Sequence, residues 1–134
     1  LHVACAFDLK VPLARRGESQ ALISMINEQL WIGHFDIWPQ DGVIMFRHSL
    51  LLAGGATVNV MQCESVLSNA VLACERYYQA FQFVIWAGKT GREALDTAMI
   101  ETNVVCRPML RKLSIDRNQG DARLKTISMM AKAT

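Results

Sequence analysis

The chain has 134 residues, 51% hydrophobic and 19% charged, with a formal net charge of +2; this length fits one domain with a substantial core. No uninterrupted apolar run long enough to span a bilayer as a helix is present (roughly 18 residues would be needed), and no charged segment followed by an apolar run opens the chain, so neither a membrane span nor a signal peptide is expected. Residues 1–105 carry seven Lys/Arg against ten Asp/Glu and residues 106–134 carry seven against two, so a mildly acidic region precedes a basic one.

Leu1 to Val11 alternates strictly. Val3, Cys5, Phe7, Leu9 and Val11 share one side, and His2, Ala4, Ala6, Asp8 and Lys10 the other, which predicts a half-buried strand. Pro12 ends it, because proline donates no ladder hydrogen bond. Ala14 to Leu30 follows helical spacing, with Leu22, Met25, Ile26 and Leu30 on the apolar side. Gly33 then permits a break into the next element.

Trp31 to Leu52 reads as a β-hairpin. Pro39 presets φ for a turn and Gly42 accepts left-handed geometry, so Pro39 to Gly42 form the loop. The register then pairs Ile37 with Ile44, Asp36 with Met45, Phe35 with Phe46 and His34 with Arg47. Phe35, Ile37, Ile44, Phe46, Leu50 and Leu52 fall on the core face. His34, Asp36, Trp38, Met45, Arg47 and Ser49 fall on the other.

Ala53 to Ala56 form a loop. Asn59 with Gln62 makes a capping-box pattern that starts a long helix. Its predicted apolar stripe is Cys63, Leu67, Ala70, Cys74, Tyr77 and Phe81, and it runs to about Trp86, since no breaker precedes Gly88. Thr90 with Glu93 opens a further helix to about Glu101, with Ala94, Leu95, Ala98 and Met99 inward. Residues 103–134 read as a basic, loosely ordered tail.

No catalytic constellation emerges. Gly88-Lys89-Thr90 imitates the end of a phosphate loop, but the glycine required five residues earlier is Phe83. His2, His34 and His48 with the four cysteines show no zinc spacing, so no metal or other cofactor is expected. Cys63 and Cys74 lie on one helix face but about 16 Å apart along its axis, too far for a disulfide, and all four cysteines read as buried apolar thiols. His34, Asp36 and Arg47 form the densest polar group; they read as a surface ion pair, with a small-molecule or catalytic use as the alternative. The basic end lacks aromatic interleaving, so nucleic-acid binding is not expected. Trp38, beside Val43, Met45 and Arg47, is the candidate partner-binding spot.

The stretches AFDLKVP (Ala6–Pro12), INEQLWIGHFDIWPQDGVIMFRHSLLLAGG (Ile26–Gly55) and CERYYQAFQFVIWAGKTGREALDTA (Cys74–Ala98) resemble the YbjN-domain family of bacterial proteins, over roughly Leu1 to Thr102. The resemblance implies a regulator of sensory transduction with a fold like the small type III secretion chaperones, which dimerise and hold partner proteins. It implies no enzyme activity, and it carries no site residues over. It also implies that a helix and two further strands precede the strand that opens here.

The expected fold is therefore α+β: an antiparallel sheet, three strands in this chain, packed by helices in the order β-α-β-β-α-α. A YbjN-like domain spans 1–102 and a tail spans 103–134. The expected function is a non-enzymatic protein-interaction module, chaperone-like or regulatory, homodimeric, in a bacterial cytoplasm, with Trp38, Val43, Met45 and Arg47 as the contact surface.

Overall fold

The structure, a computed structural model, describes the backbone of residues 1–109 and the side chains of residues 1–100. Its elements are β1 (His2–Lys10), α1 (Arg16–Gln29), β2 (His34–Ile37), β3 (Val43–Ser49), α2 (Val60–Ile85) and α3 (Gly91–Met109), with a short 3-10 turn at Leu13–Arg15 before α1. The order is the expected β-α-β-β-α-α. The sheet has three antiparallel strands in the spatial order β1-β3-β2.

The hairpin register agrees with the alternation pair for pair: His34–Arg47, Phe35–Phe46, Asp36–Met45 and Ile37–Ile44. Phe35, Ile37, Ile44 and Phe46 are buried on the core face; Leu50 and Leu52, expected to continue it, lie past the end of β3 and are half-buried. On β1, Cys5, Phe7 and Leu9 turn inward, as does Val11 just after it.

Helices α1 and α2 cover one face of the sheet, α1 against β2 and α2 against β1 and β3, while α3 packs on α1 and α2. The centre is aromatic. Phe35 meets Phe46 at 5.3 Å between ring centroids, Phe81 at 5.5 Å and Tyr77 at 5.9 Å, and Phe7 meets Tyr78 at 5.1 Å. All but the tilted Phe35–Phe81 pair are edge-to-face, a contact that adds about 0.5–1.5 kcal/mol beyond the area it buries.

Helix α2 starts as expected. The Asn59 side chain accepts from the Gln62 N–H at 2.8 Å and the Gln62 side chain accepts from the Asn59 N–H at 3.0 Å, a reciprocal cap. Its buried face is rotated from the predicted stripe. Val66, Ala70, Ala73, Tyr77, Ala80, Phe81 and Val84 are buried, whereas Cys63, Leu67 and Cys74 sit half-buried at the margin. Alanines at the contact line let the helix approach its neighbours closely, and bulkier side chains are left to the flanks. Cys63 and Cys74 are correspondingly not the buried thiols expected, although Cys5 is.

The α2–α3 connection is a turn at Lys89. Its ammonium donates to Thr97 Oγ1 at 2.9 Å and lies 4.7 Å from the centre of the Phe83 ring. Gly91 opens α3 against α1 and donates its N–H to Glu18 Oε2 at 2.9 Å. An added Cβ there would lie 2.9 Å from the Leu22 nitrogen, so only glycine permits this approach. Thr90 and Glu93 form the second cap, as expected: Thr90 donates its N–H and hydroxyl to Glu93 Oε2 at 3.1 and 2.8 Å. Ala94, Leu95 and Ala98 are buried. Helix α3 continues past Glu101 to Met109, into the stretch assigned to the tail; the remainder of that assignment, 110–134, lies outside the described residues.

The two sheet edges differ. The Trp38 N–H donates to Val43 O, which sets the ladder so that Phe35 and Ile37 turn their backbone groups outward from β2. Both outward N–H groups are taken: Phe35 donates to Asn27 Oδ1 at 2.8 Å and Ile37 to Asp36 Oδ1 at 2.8 Å. Asn27 Nδ2 also donates to Phe35 O at 3.0 Å, so one side chain of α1 imitates a neighbouring strand. On β1, the groups of His2, Ala4 and Ala6 face outward, and among the described residues no strand pairs with them.

Candidate functional site: the open sheet face and a groove along helix α2

The sheet face away from the helices is one candidate surface. Its rows read Ala4–Arg47–His34 and Ala6–Met45–Asp36 across β1, β3 and β2. Trp38 stands at the turn end, 42% exposed, beside half-buried Val43. Trp38, Val43, Met45 and Arg47 thus share one face, the arrangement their spacing predicts.

Arg47 Nη1 lies 3.5 Å from Asp36 Oδ2, with the side chains 39% and 52% exposed. A pair this open contributes well under about 1 kcal/mol. His34 is exposed beside it. The three occupy a sheet face, and neither of the two clefts described below contains any of them. His48 points to the opposite side and lines the second cleft. Among the described residues, no three His, Cys, Asp or Glu side chains converge as metal ligands would, and no helix is long and apolar enough to cross a membrane.

The second candidate surface has no counterpart in the sequence reading. One cleft of about 280 Å³ lies between the end of α1 and the middle of α2, lined among others by Trp31, Ile32, Leu72 and Arg76. Another of about 430 Å³ lies between the end of β3 and the start of α2, lined among others by Ile32, His48, Leu50 and Met61. Ile32 and Asn69 line both, so the two join into one groove beside α2. From Asn59 to Tyr77 it follows the helix for about 27 Å at 1.5 Å per residue.

Local sequence explains why this groove is apolar and open. Helix α1 ends at Gln29, and Leu30 is extended, with φ −89° and ψ 121°. Trp31 and Ile32 therefore fall on a connection with no period to turn them inward. Gly33, at φ 74°, then drives the chain into β2 with its Cα against the Phe46 ring. Trp31 is left 100% exposed, Met61 77%, Ile32 and Leu72 48% each. Arg76 marks the far end, its guanidinium 5.5 Å from the Tyr77 ring centre. The groove offers apolar side chains, four amides, a serine, a histidine and one arginine, a set suited to holding another chain.

Comparison with known proteins gives one family. The YbjN family model, described as "Putative bacterial sensory transduction regulator", matches residues 1–83. The match takes in the whole sheet, α1 and most of α2, and stops before α3. No curated protein and no solved structure matches.

Proposed function

The chain belongs to the YbjN family, and from that premise we propose that it is a regulatory module that works by binding another protein through the groove beside α2. The observation that carries this reading is Trp31. A tryptophan side chain buries about 150–250 Å² when covered, and at about 25 cal/mol per Å² such cover stabilises a contact by several kcal/mol. Here the ring is fully exposed, with Ile32 and Leu72 beside it. Contiguous exposed apolar side chains with an aromatic anchor are the composition of binding hot spots.

The partner segment is apolar along most of its length, with an acidic group placed to meet Arg76. Trp38, Val43, Met45 and Arg47, on the opposite side of the sheet, are the second contact surface in this reading. In this reading the module is a chaperone-like homodimer in a bacterial cytoplasm.

The test is quantitative capture from a bacterial cytoplasmic extract with three baits: wild type, Trp31→Ser/Leu72→Ser and Trp38→Ser. The expected result is a specific protein held by wild type and lost from the Trp31/Leu72 variant. Equal capture by both, or none by wild type, refutes the groove as the binding face.

A further inference from the structure

Cys5 on β1 and Cys74 on α2 are brought together by the packing of those elements. Cys5 lies on the core face of its strand, and Cys74 packs against the same hydrophobic cluster from the helix. The Phe7–Tyr78 contact, 5.1 Å between ring centroids, fixes the register of strand against helix. Two residues back along a strand is about 6.7 Å, and four residues back along a helix is about 6 Å. Helix α2 starts beside the end of β3, and β3 is antiparallel to β1, so β1 and α2 run in the same direction; the two steps then match and place Cys5 near Cys74, as Phe7 lies against Tyr78. Each thiol is the main influence on the other's titration.

We propose that Cys5 and Cys74 are a dithiol pair that hydrogen peroxide converts reversibly to a disulfide, stapling strand β1 to helix α2. This goes beyond partner binding and does not depend on it. Packed against each other, the two thiols titrate as a pair. The Cys74 thiol beside it favours the Cys5 thiolate against the opposing effect of burial, while Cys5, burial and the neighbouring Glu75 carboxylate keep Cys74 protonated.

The chemistry balances with the peroxide as the only oxidant. The Cys5 thiolate attacks one peroxide oxygen; an S–O bond forms, the O–O bond breaks, and the departing hydroxide takes a proton to become water. The Cys74 sulfur then attacks the Cys5 sulfur. The S–S bond forms, the S–O bond breaks, and hydroxide leaves with the Cys74 proton as a second water. Two thiols lose two electrons and one peroxide gains them. Cys74, half-buried at the margin of α2, keeps the pair within reach of small oxidants and reductants.

The test treats the folded, fully reduced chain with hydrogen peroxide, blocks remaining thiols with iodoacetamide and maps the peptides by mass spectrometry. The expected main product joins the Cys5 and Cys74 peptides, two hydrogens lighter than the reduced pair, and dithiothreitol reverses it. The same treatment in guanidinium should scatter the pairing over Cys63 and Cys106. In Cys74→Ser the link should vanish and Cys5 should advance to the sulfinic acid. Recovery of Cys5 and Cys74 from the folded wild-type chain as separate alkylated or singly oxidised residues overturns the proposal, as does a main product linking either to Cys63 or Cys106.

Discussion

Asn27→Ala tests the closed edge of the sheet. Asn27 accepts from the Phe35 N–H at 2.8 Å and donates to its carbonyl at 3.0 Å, both in a part-buried setting. Alanine removes both bonds and leaves two backbone groups that water reaches only partly. At about 1 kcal/mol per bond, with a further penalty for incomplete solvation, the expected loss is about 2–3 kcal/mol. A domain of this size holds about 5–15 kcal/mol in all, so the loss lowers Tm by roughly 10 °C. The assay is urea unfolding followed by Trp fluorescence, with an unchanged m-value, together with amide exchange at Phe35. The Phe35 amide should lose its protection while that of Asp36, directed toward β3, keeps most of its own. Asn27→Asp should do no better than alanine, because its carboxylate sets a negative charge against the Phe35 carbonyl. A loss below about 0.5 kcal/mol, or unchanged exchange at Phe35, would refute the reasoning.

Other substitutions separate structural from peripheral roles. Gly33→Ala sets a methyl group into the Phe46 ring at a φ of 74° and should cost about 2–4 kcal/mol in chemical denaturation. Gly17→Ala, a helical site with open space around it, should gain up to about 1 kcal/mol in the same assay. Arg47→Ala removes a half-exposed ion pair and should shift stability by less than about 1 kcal/mol. Bonds from the Thr90 N–H and hydroxyl hold the Glu93 carboxyl below its ordinary 4.5. Because the folded value is depressed, its stabilising effect is complete above 4.5 and fades as pH falls through the lowered value; an NMR titration should show this, and Glu93→Gln should abolish it.

The sheet was legible from local rules. Pro39 and Gly42 fix the turn, a period of two fixes the faces, and together they place every pair from His34–Arg47 to Ile37–Ile44. The buried face of α2 was less so. Reading apolarity alone favours Cys63, Leu67 and Cys74, but tertiary packing chose Ala73, Ala80 and Val84, because close approach to the sheet and two helices rewards small side chains. The shared positions Ala70, Tyr77 and Phe81 kept the helix in place.

The surfaces divide the same way. Trp38, Val43, Met45 and Arg47 sit on a strand face that alternation defines. Trp31 and Ile32 sit on an aperiodic connection, where nothing in the spacing says which way a side chain turns, and the groove needs Leu72 and Met61 from a distant helix to complete it. The strand-like role of Asn27 is hidden for the same reason, since it depends on where the end of α1 lands against β2. Within the sequence, the one available hint for the groove was a tryptophan directly after a helix end.

A photo-crosslinking amino acid placed at position 31, 72 or 38 of the full chain in bacterial cells tests the binding face most directly. Positions 31 and 72 should yield the same discrete crosslinked protein, at several times the amount obtained from an exposed control at Leu13. Uniform labelling at all positions, or crosslinks at 38 without any at 31 and 72, would contradict a partner seated beside α2.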